Sequence, residues 1–352
     1  MPPRRQGVTI KHVAADAGVS LQTVSRVINN EPNVRPEMAR RVQDSIDRLG
    51  YVPLIAAQRM GGSRSRLILA LNDRDRTIAG WQNRQGTDWV DQMLLGGMLT
   101  CGAHGYRLIL ELVDTHSDHI ERELSAAIGA LQPDGVILTP PHSQDPLILD
   151  LLARRGISIA RIGSRVSGPG FSLTMGDEGA AQMVTEHLVA LGHRRIGFIE
   201  GAPDYELSGW RVTAWRTAMA AAGLSDDLIQ PGDFDYESGY AAAVALLDVA
   251  DPPTAIIASS DQMAMATLAL AKERGLAVPD DLSIVSFDDT PIVRFAQPPL
   301  TAVTQPIAEV AARAVERIIA EQRDTLPPAG PVSVAATLNL RASTAPPRST
   351  PR

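Results

Sequence analysis

One cysteine, Cys101, stands among 352 residues. That excludes a disulfide framework and any zinc site built from several cysteines, and it suits a reducing compartment. Long apolar runs are also missing. With no stretch of 18 apolar residues, no membrane-spanning helix is expected. The basic N-terminus has no apolar segment behind it, so no signal peptide is expected and the chain is assigned to the cytoplasm. The 7 histidines form no metal triad, and there is no nucleophile elbow. Gly96-Gly97 falls inside a predicted helix, not in a glycine-rich turn after a strand, which argues against a dinucleotide enzyme. No catalytic residue, metal or cofactor is assigned.

What is present is unevenly charged. Residues 1–66 hold 11 Lys or Arg against 5 Asp or Glu, while the remainder holds 22 against 35. A head of net charge +6 precedes a body of −13. Only such a head suits nucleic acid, and the acidic body would help orient it.

The head contains two short helices joined by a tight turn. Thr9 caps the first, which carries Ile10, Val13, Ala14 and Ala17 on one face. Gly18 supplies the left-handed stop, and Ser20 caps the second helix. Val24 and Val27 face inward, leaving Leu21, Gln22, Ser25 and Arg26 outside. This is a helix-turn-helix whose second helix suits the major groove. Gln22 has the chemistry for adenine and Arg26 for guanine, while Thr23 and Ser25 suit phosphate oxygens. A third helix is expected from Pro36 to Leu49, with Met38, Val42, Ile46 and Leu49 as its apolar stripe and Gly50 as its stop.

Between Pro53 and Gly61-Gly62 there is room for about two helical turns, marginal alone in water and a candidate for folding on DNA. From Leu67 the pattern becomes strands alternating with helices. Strands are expected at Leu67–Leu71, Tyr106–Leu112, Gly135–Leu138, Ser158–Ile162, Arg195–Ile199, Ala255–Ser259 and Leu282–Phe287. Helices such as Asp88–Ala103, Ile120–Leu131 and Gln262–Arg274 fill the gaps. Repeated βαβ units on this scale predict two doubly wound parallel sheets with a ligand cleft at the strands' carboxyl ends.

With these motifs in order, the chain resembles the LacI/GalR family of bacterial transcription regulators. The resemblance rests on Val8–Val27, Leu49-Gly50-Tyr51-Val52-Pro53, Leu191-Gly192-His193-Arg194-Arg195-Ile196-Gly197-Phe198-Ile199, Ser238-Gly239-Tyr240, Ser260-Asp261-Gln262-Met263-Ala264, Ser286-Phe287-Asp288-Asp289, Pro299-Leu300-Thr301 and Gln305-Pro306. It implies an all-α helix-turn-helix head (1–50), a hinge helix and linker (51–65), and a two-lobed α/β core like the periplasmic binding proteins (66–345). A disordered tail (346–352) would follow.

By resemblance, Thr9, Ser20, Leu21, Gln22, Thr23, Ser25, Arg26, Asn29 and Met60 are the DNA-contacting residues, with Met60 as an apolar wedge in the minor groove. Asp73, Arg211, Phe234, Asp261 and Asp288 are the effector-binding residues. One guanidinium, one flat apolar face and carboxylates suit a saccharide. Two departures stand out: the segment from Asn72 to Trp89, with Trp81 and Trp89, is not the usual first-lobe wall, and Gly163 replaces a common acidic contact.

The implied function is a homodimeric repressor of carbohydrate-utilisation genes. It would bind a near-palindromic double-stranded operator and be released by a small sugar-like effector, with no membrane involvement. No leucine heptad follows Arg341, so the tetramerising tail of some members of the family is missing and a dimer is expected. The alternatives are a purine- or nucleoside-responsive co-repressed regulator and a solute-binding protein without DNA function.

Overall fold

The computed structural model describes residues 8–28, 34–51, 65–114, 119–323, 325 and 330–348. They fall into two compact units that divide after Ser65.

In the first unit, α1 (Ile10–Ala17), α2 (Leu21–Ile28) and α3 (Pro36–Leu49) enclose Val13, Ala14, Ala17, Val24, Val42 and Tyr51. Gly18 ends α1 at φ 62°, and a Cβ there would lie 2.9 Å from Arg41 Nη2. That guanidinium donates to the Ala17 carbonyl at 2.6 Å, so α3 clamps the turn. Buried Ser45 donates to Asp16 Oδ2 at 2.6 Å, tying α3 to α1 a second time. Met38, expected in the apolar stripe of α3, is 36% exposed. It lies within the first turn of the helix, outside the cluster of buried residues that closes the head.

The second unit holds two six-stranded sheets. The first lobe contains β1 (Leu67–Asp73), β2 (Arg107–Val113), β3 (Gly135–Leu138), β4 (Ser158–Ile162), β5 (Phe171–Thr174) and β11 (Val332–Ser333), in the order β11-β5-β4-β3-β1-β2. The second contains β6 (Ile196–Ile199), β7 (Ile229–Gln230), β8 (Ala255–Ala258), β9 (Ser283–Asp288), β10 (Thr301–Thr304) and β12 (Thr337–Asn339), in the order β12-β10-β9-β8-β6-β7. All pairings in the first sheet are parallel. The second departs from the expected all-parallel sheet, because β12 pairs antiparallel with β10 at the edge. A returning C-terminal segment can join an edge in that sense without a crossover helix.

The helices cover both faces of each sheet. They are α4 (Arg74–Asn83), α5 (Asp88–Ala103), α6 (Ile120–Leu131), α7 (Pro146–Arg154), α8 (Asp177–Ala190), α9 (Glu206–Ala221), α10 (Tyr236–Leu247), α11 (Asp261–Glu273), α12 (Pro291–Arg294) and α13 (Ile307–Gln322). Apolar strands such as β3, buried along their whole length, require that double cover. Helix α13 follows a second-lobe strand yet packs into the first-lobe core through Ile307, Val310, Ala314 and Ile318. The chain therefore passes between lobes three times, after β5, after β10 and after β11. Gly96 lets α5 cross α13 closely, since a Cβ there would fall 1.9 Å from the Ala308 carbonyl oxygen.

The tail expected to be disordered from Pro346 is partly tied down. Arg348 pairs with Asp280 at 2.9 Å and Asp281 at 2.6 Å. Two acidic partners on one turn hold a residue that composition alone would leave loose.

Candidate functional site

The head's outward face is built by its caps. The Thr9 N–H donates to His12 Nδ1 at 3.1 Å, and Ser20 Oγ accepts from the Thr23 N–H at 3.1 Å. With Val24 wholly buried, helical spacing turns Leu21, Gln22 and Arg26 to solvent, and Thr23 and Ser25 lie at the margin. Leu21 is 45% exposed, more than packing in the head requires. An exposed row of one apolar, one amide and one guanidinium side chain on a helix of the second position suits base edges. Asn29, Met60 and the hinge helix lie outside the described residues.

In the second unit a cavity of about 160 Å³ opens at the carboxyl ends of strands from both lobes. Asn72 and Asp73 end β1, Thr139 and Pro140 follow β3, Ser260 follows β8, Asp288 ends β9 and Gln305 follows β10. Trp89 and Phe234 supply flat apolar faces. Four of the five residues expected at an effector site, Asp73, Arg211, Phe234 and Asp288, line this cavity.

Asp261 does not. It occupies the first turn of α11 behind the wall, where its carboxylate accepts from Ser286 Oγ and, at 2.6 Å, from the Thr290 N–H. Both oxygens are thus engaged inside the protein, and the helix cap is Ser260, whose Oγ accepts from the Met263 N–H.

Arg211 is held from behind. Its Nε and Nη2 donate to Asp177 Oδ1 at 2.9 and 2.7 Å, and its Nη1 donates to the Ser259 carbonyl at 2.9 Å. The guanidinium also lies 4.4 Å from the Phe287 ring centre. Phe234 adopts φ 64°, and its ring occupies space left by Gly201, where a Cβ would meet it at 2.2 Å. The ring sits 5.6 Å from that of Tyr205.

Asp288 has φ 98°, a left-handed conformation that costs energy for a residue with a side chain. Gln305 Nε2 donates to it at 2.6 Å. Burial raises the pKa of Asp288, and burial together with the neighbouring Asp288 charge raises that of Asp261. Two carboxyls this close and this dry resist carrying two charges.

Trp89 lines the cavity, whereas Trp81 is 45% exposed on α4. Gly163, at φ 71°, is outside the lining, and a Cβ there would meet Pro140 at 2.9 Å. Sequence reading missed Arg76, Tyr205 and Gln305. The signal for Gln305 was its family motif; Arg76 lay in the segment without one.

Comparison with known proteins follows this division. The family described as bacterial regulatory proteins, lacI family, matches residues 9–53, and the periplasmic binding protein-like domain matches 185–344. The HTH-type transcriptional regulator CelR of Thermobifida fusca is 33% identical over 291 residues, 81% of this chain and 83% of that protein. A solved CelR–cellobiose complex superposes with a TM-score of 0.71 at 29% identity, covering 96% of this chain and 99% of that one. A Lac repressor dimer bound to operator shares the fold, with a TM-score of 0.80 at 24% identity, covering 97% of this chain and 100% of that one. A capped helix-turn-helix head, a two-lobed body with its cleft at the strand ends, and these relatives make this chain a member of the lacI family of DNA-binding transcriptional regulators, which are not enzymes.

Proposed function

We propose that the protein is a dimeric repressor of carbohydrate-utilisation genes, released from a near-palindromic operator by a small sugar-like effector bound in the cleft. The observation that carries this reading is the cavity lining. Asp73, Asp288, Asn72 and Gln305 offer polar groups of both senses around the flat faces of Trp89 and Phe234. Hydroxyls around an apolar ring face match that set. The similar protein solved in complex with cellobiose supports the same class.

Dimerisation draws support from two apolar patches. Leu95, Met98 and Leu99 are exposed on α5 of the first lobe, and Ile292 and Phe295 are exposed in the second, Phe295 by 81%. Contiguous exposed apolar groups of this kind mark protein contacts. Two protomers place two reading helices on two half-sites. Cleft occupation and DNA binding are linked reciprocally, so an effector that weakens operator binding is itself held less tightly by the DNA complex.

The test starts with selection of bound duplexes from a random library. Arg26→Ala should cost about 1–3 kcal/mol on the selected site and relax one base pair per half-site. An equal loss on random DNA would contradict base reading. Uncharged saccharides and nucleosides are then screened for release of the selected site. Release by a nucleoside and by no sugar would replace the saccharide assignment.

A further inference from the structure

Beyond the inner cavity lies an outer one of about 490 Å³, and the two share Asp73, Arg76, Gly86, Tyr205, Phe234 and Gln262. Arg76 stands where they meet. It projects from the first turn of α4, in the first lobe, towards the segment joining β7 and α10 in the second. Its Nη1 donates to the Asp233 carbonyl at 2.9 Å and its Nη2 to Asp233 Oδ1 at 2.7 Å. The guanidinium carbon lies 5.2 Å from the Tyr205 ring centre. Both ends are aimed by their backbones: Asp73 Oδ1 accepts from the Arg76 N–H at 2.8 Å, and the Asp233 N–H donates to Ser238 Oγ at 2.9 Å.

We infer that the Arg76–Asp233 bridge is a gate across the mouth of the cleft, and that Arg76 determines the length of ligand the cleft admits. The inference rests on the effector reading of that cleft. With the bridge made, Arg76 and Asp233 narrow the passage between the outer chamber and the inner one of about 160 Å³. With it broken, the chamber runs into the outer one and a longer ligand fits.

The strength of the bridge suits a gate. Its side chains are 38% and 51% exposed, and so solvated an ion pair opens readily. Arg211–Asp177, in the same cleft, is 2% and 1% exposed and is fixed by comparison. Charge adds a second filter. Asp75, Asp204, Asp235 and Glu237 line the outer chamber, and Arg76 is its one cationic lining residue among those described. An anionic ligand is repelled there; an uncharged hydroxyl-rich or amine-bearing one is not.

The test needs no effector. Thr77→Cys and, separately, Val90→Cys place a thiol on the inner wall of the full-length protein, at positions that are 8% and 7% exposed. The natural Cys101 is 1% exposed and burial pushes its thiol up to about 12, so it stays silent unless the fold is lost. N-ethylmaleimide should label both reporters at least tenfold faster when Arg76→Ala is added, and faster with salt only when Arg76 is present. Should Arg76→Ala expose Cys101, the charge-swapped pair Arg76→Asp with Asp233→Arg serves instead, and should restore slow labelling. Rates within twofold of the parent in the folded variants, or no salt effect on the parent, overturn the gate. Such a failure leaves the effector assignment standing, because the reagent reports only access.

Discussion

Arg211→Ala would leave Asp177 buried without the cation that faces it. Three Arg211 donors end on Asp177 Oδ1 and the Ser259 carbonyl, and the ion-paired side chains are at most 2% exposed. Breaking a pair at that depth costs about 3–5 kcal/mol, because the remaining charge has lost both water and partner. In a body of this size that lowers the unfolding midpoint on the order of 10 °C. Urea unfolding followed by tryptophan emission reads it out, with fully buried Trp215 on the same helix contributing to the signal. Asp177→Ala should cost a similar amount. The double variant removes both charges and should cost less than the sum of the singles by roughly 2 kcal/mol. Additive losses, or a single loss under about 1 kcal/mol, would refute the pairing as the determinant of this helix's position. A ligand-insensitive Arg211→Ala protein therefore reports on the fold of the second lobe before it reports on a missing effector contact.

Two further expectations concern packing and pH. Gly96→Ala drives a methyl into the Ala308 backbone, where no side chain can yield, and should destabilise the body by about 1–3 kcal/mol in the same assay; an unchanged midpoint would mean the α5–α13 crossing can widen. The raised pKa of Asp288 means that its ionisation opposes folding. Stability that is full below the ordinary carboxylate range is lost as pH rises through the higher folded value. Asp288→Asn removes that dependence and tolerates a positive φ, so its melting midpoint should exceed the parent's by a few degrees at pH 8 and by much less at pH 4. Parallel pH curves for the two proteins would exclude the burial cost assigned to Asp288.

Local order was legible wherever one helical turn or one strand carries its own signal. Gly18, Ser20 and Gly50 mark helix ends because a left-handed stop and a side-chain cap need only neighbouring residues. Apolar strands bounded by turns gave the alternation of the body, and α5 and α6 begin and end where their periodicity does. Asp73, Arg211, Phe234 and Asp288 came to one cleft only through the resemblance to the family, since no local signal of cap or periodicity groups them. Direction and partnership were decided elsewhere. Asp261 and Asp288 read alike in sequence, yet one turns inward to Ser286 and Thr290 while the other faces the cavity. Strand β12 offered only three residues, too few for a pattern that tells parallel from antiparallel. Arg76 and Asp233 stand 157 positions apart, and nothing within a turn of either names the other. Periodicity specifies which face a segment buries; which distant segment arrives at that face is settled only when the lobes pack, because that contact is a property of neither segment alone.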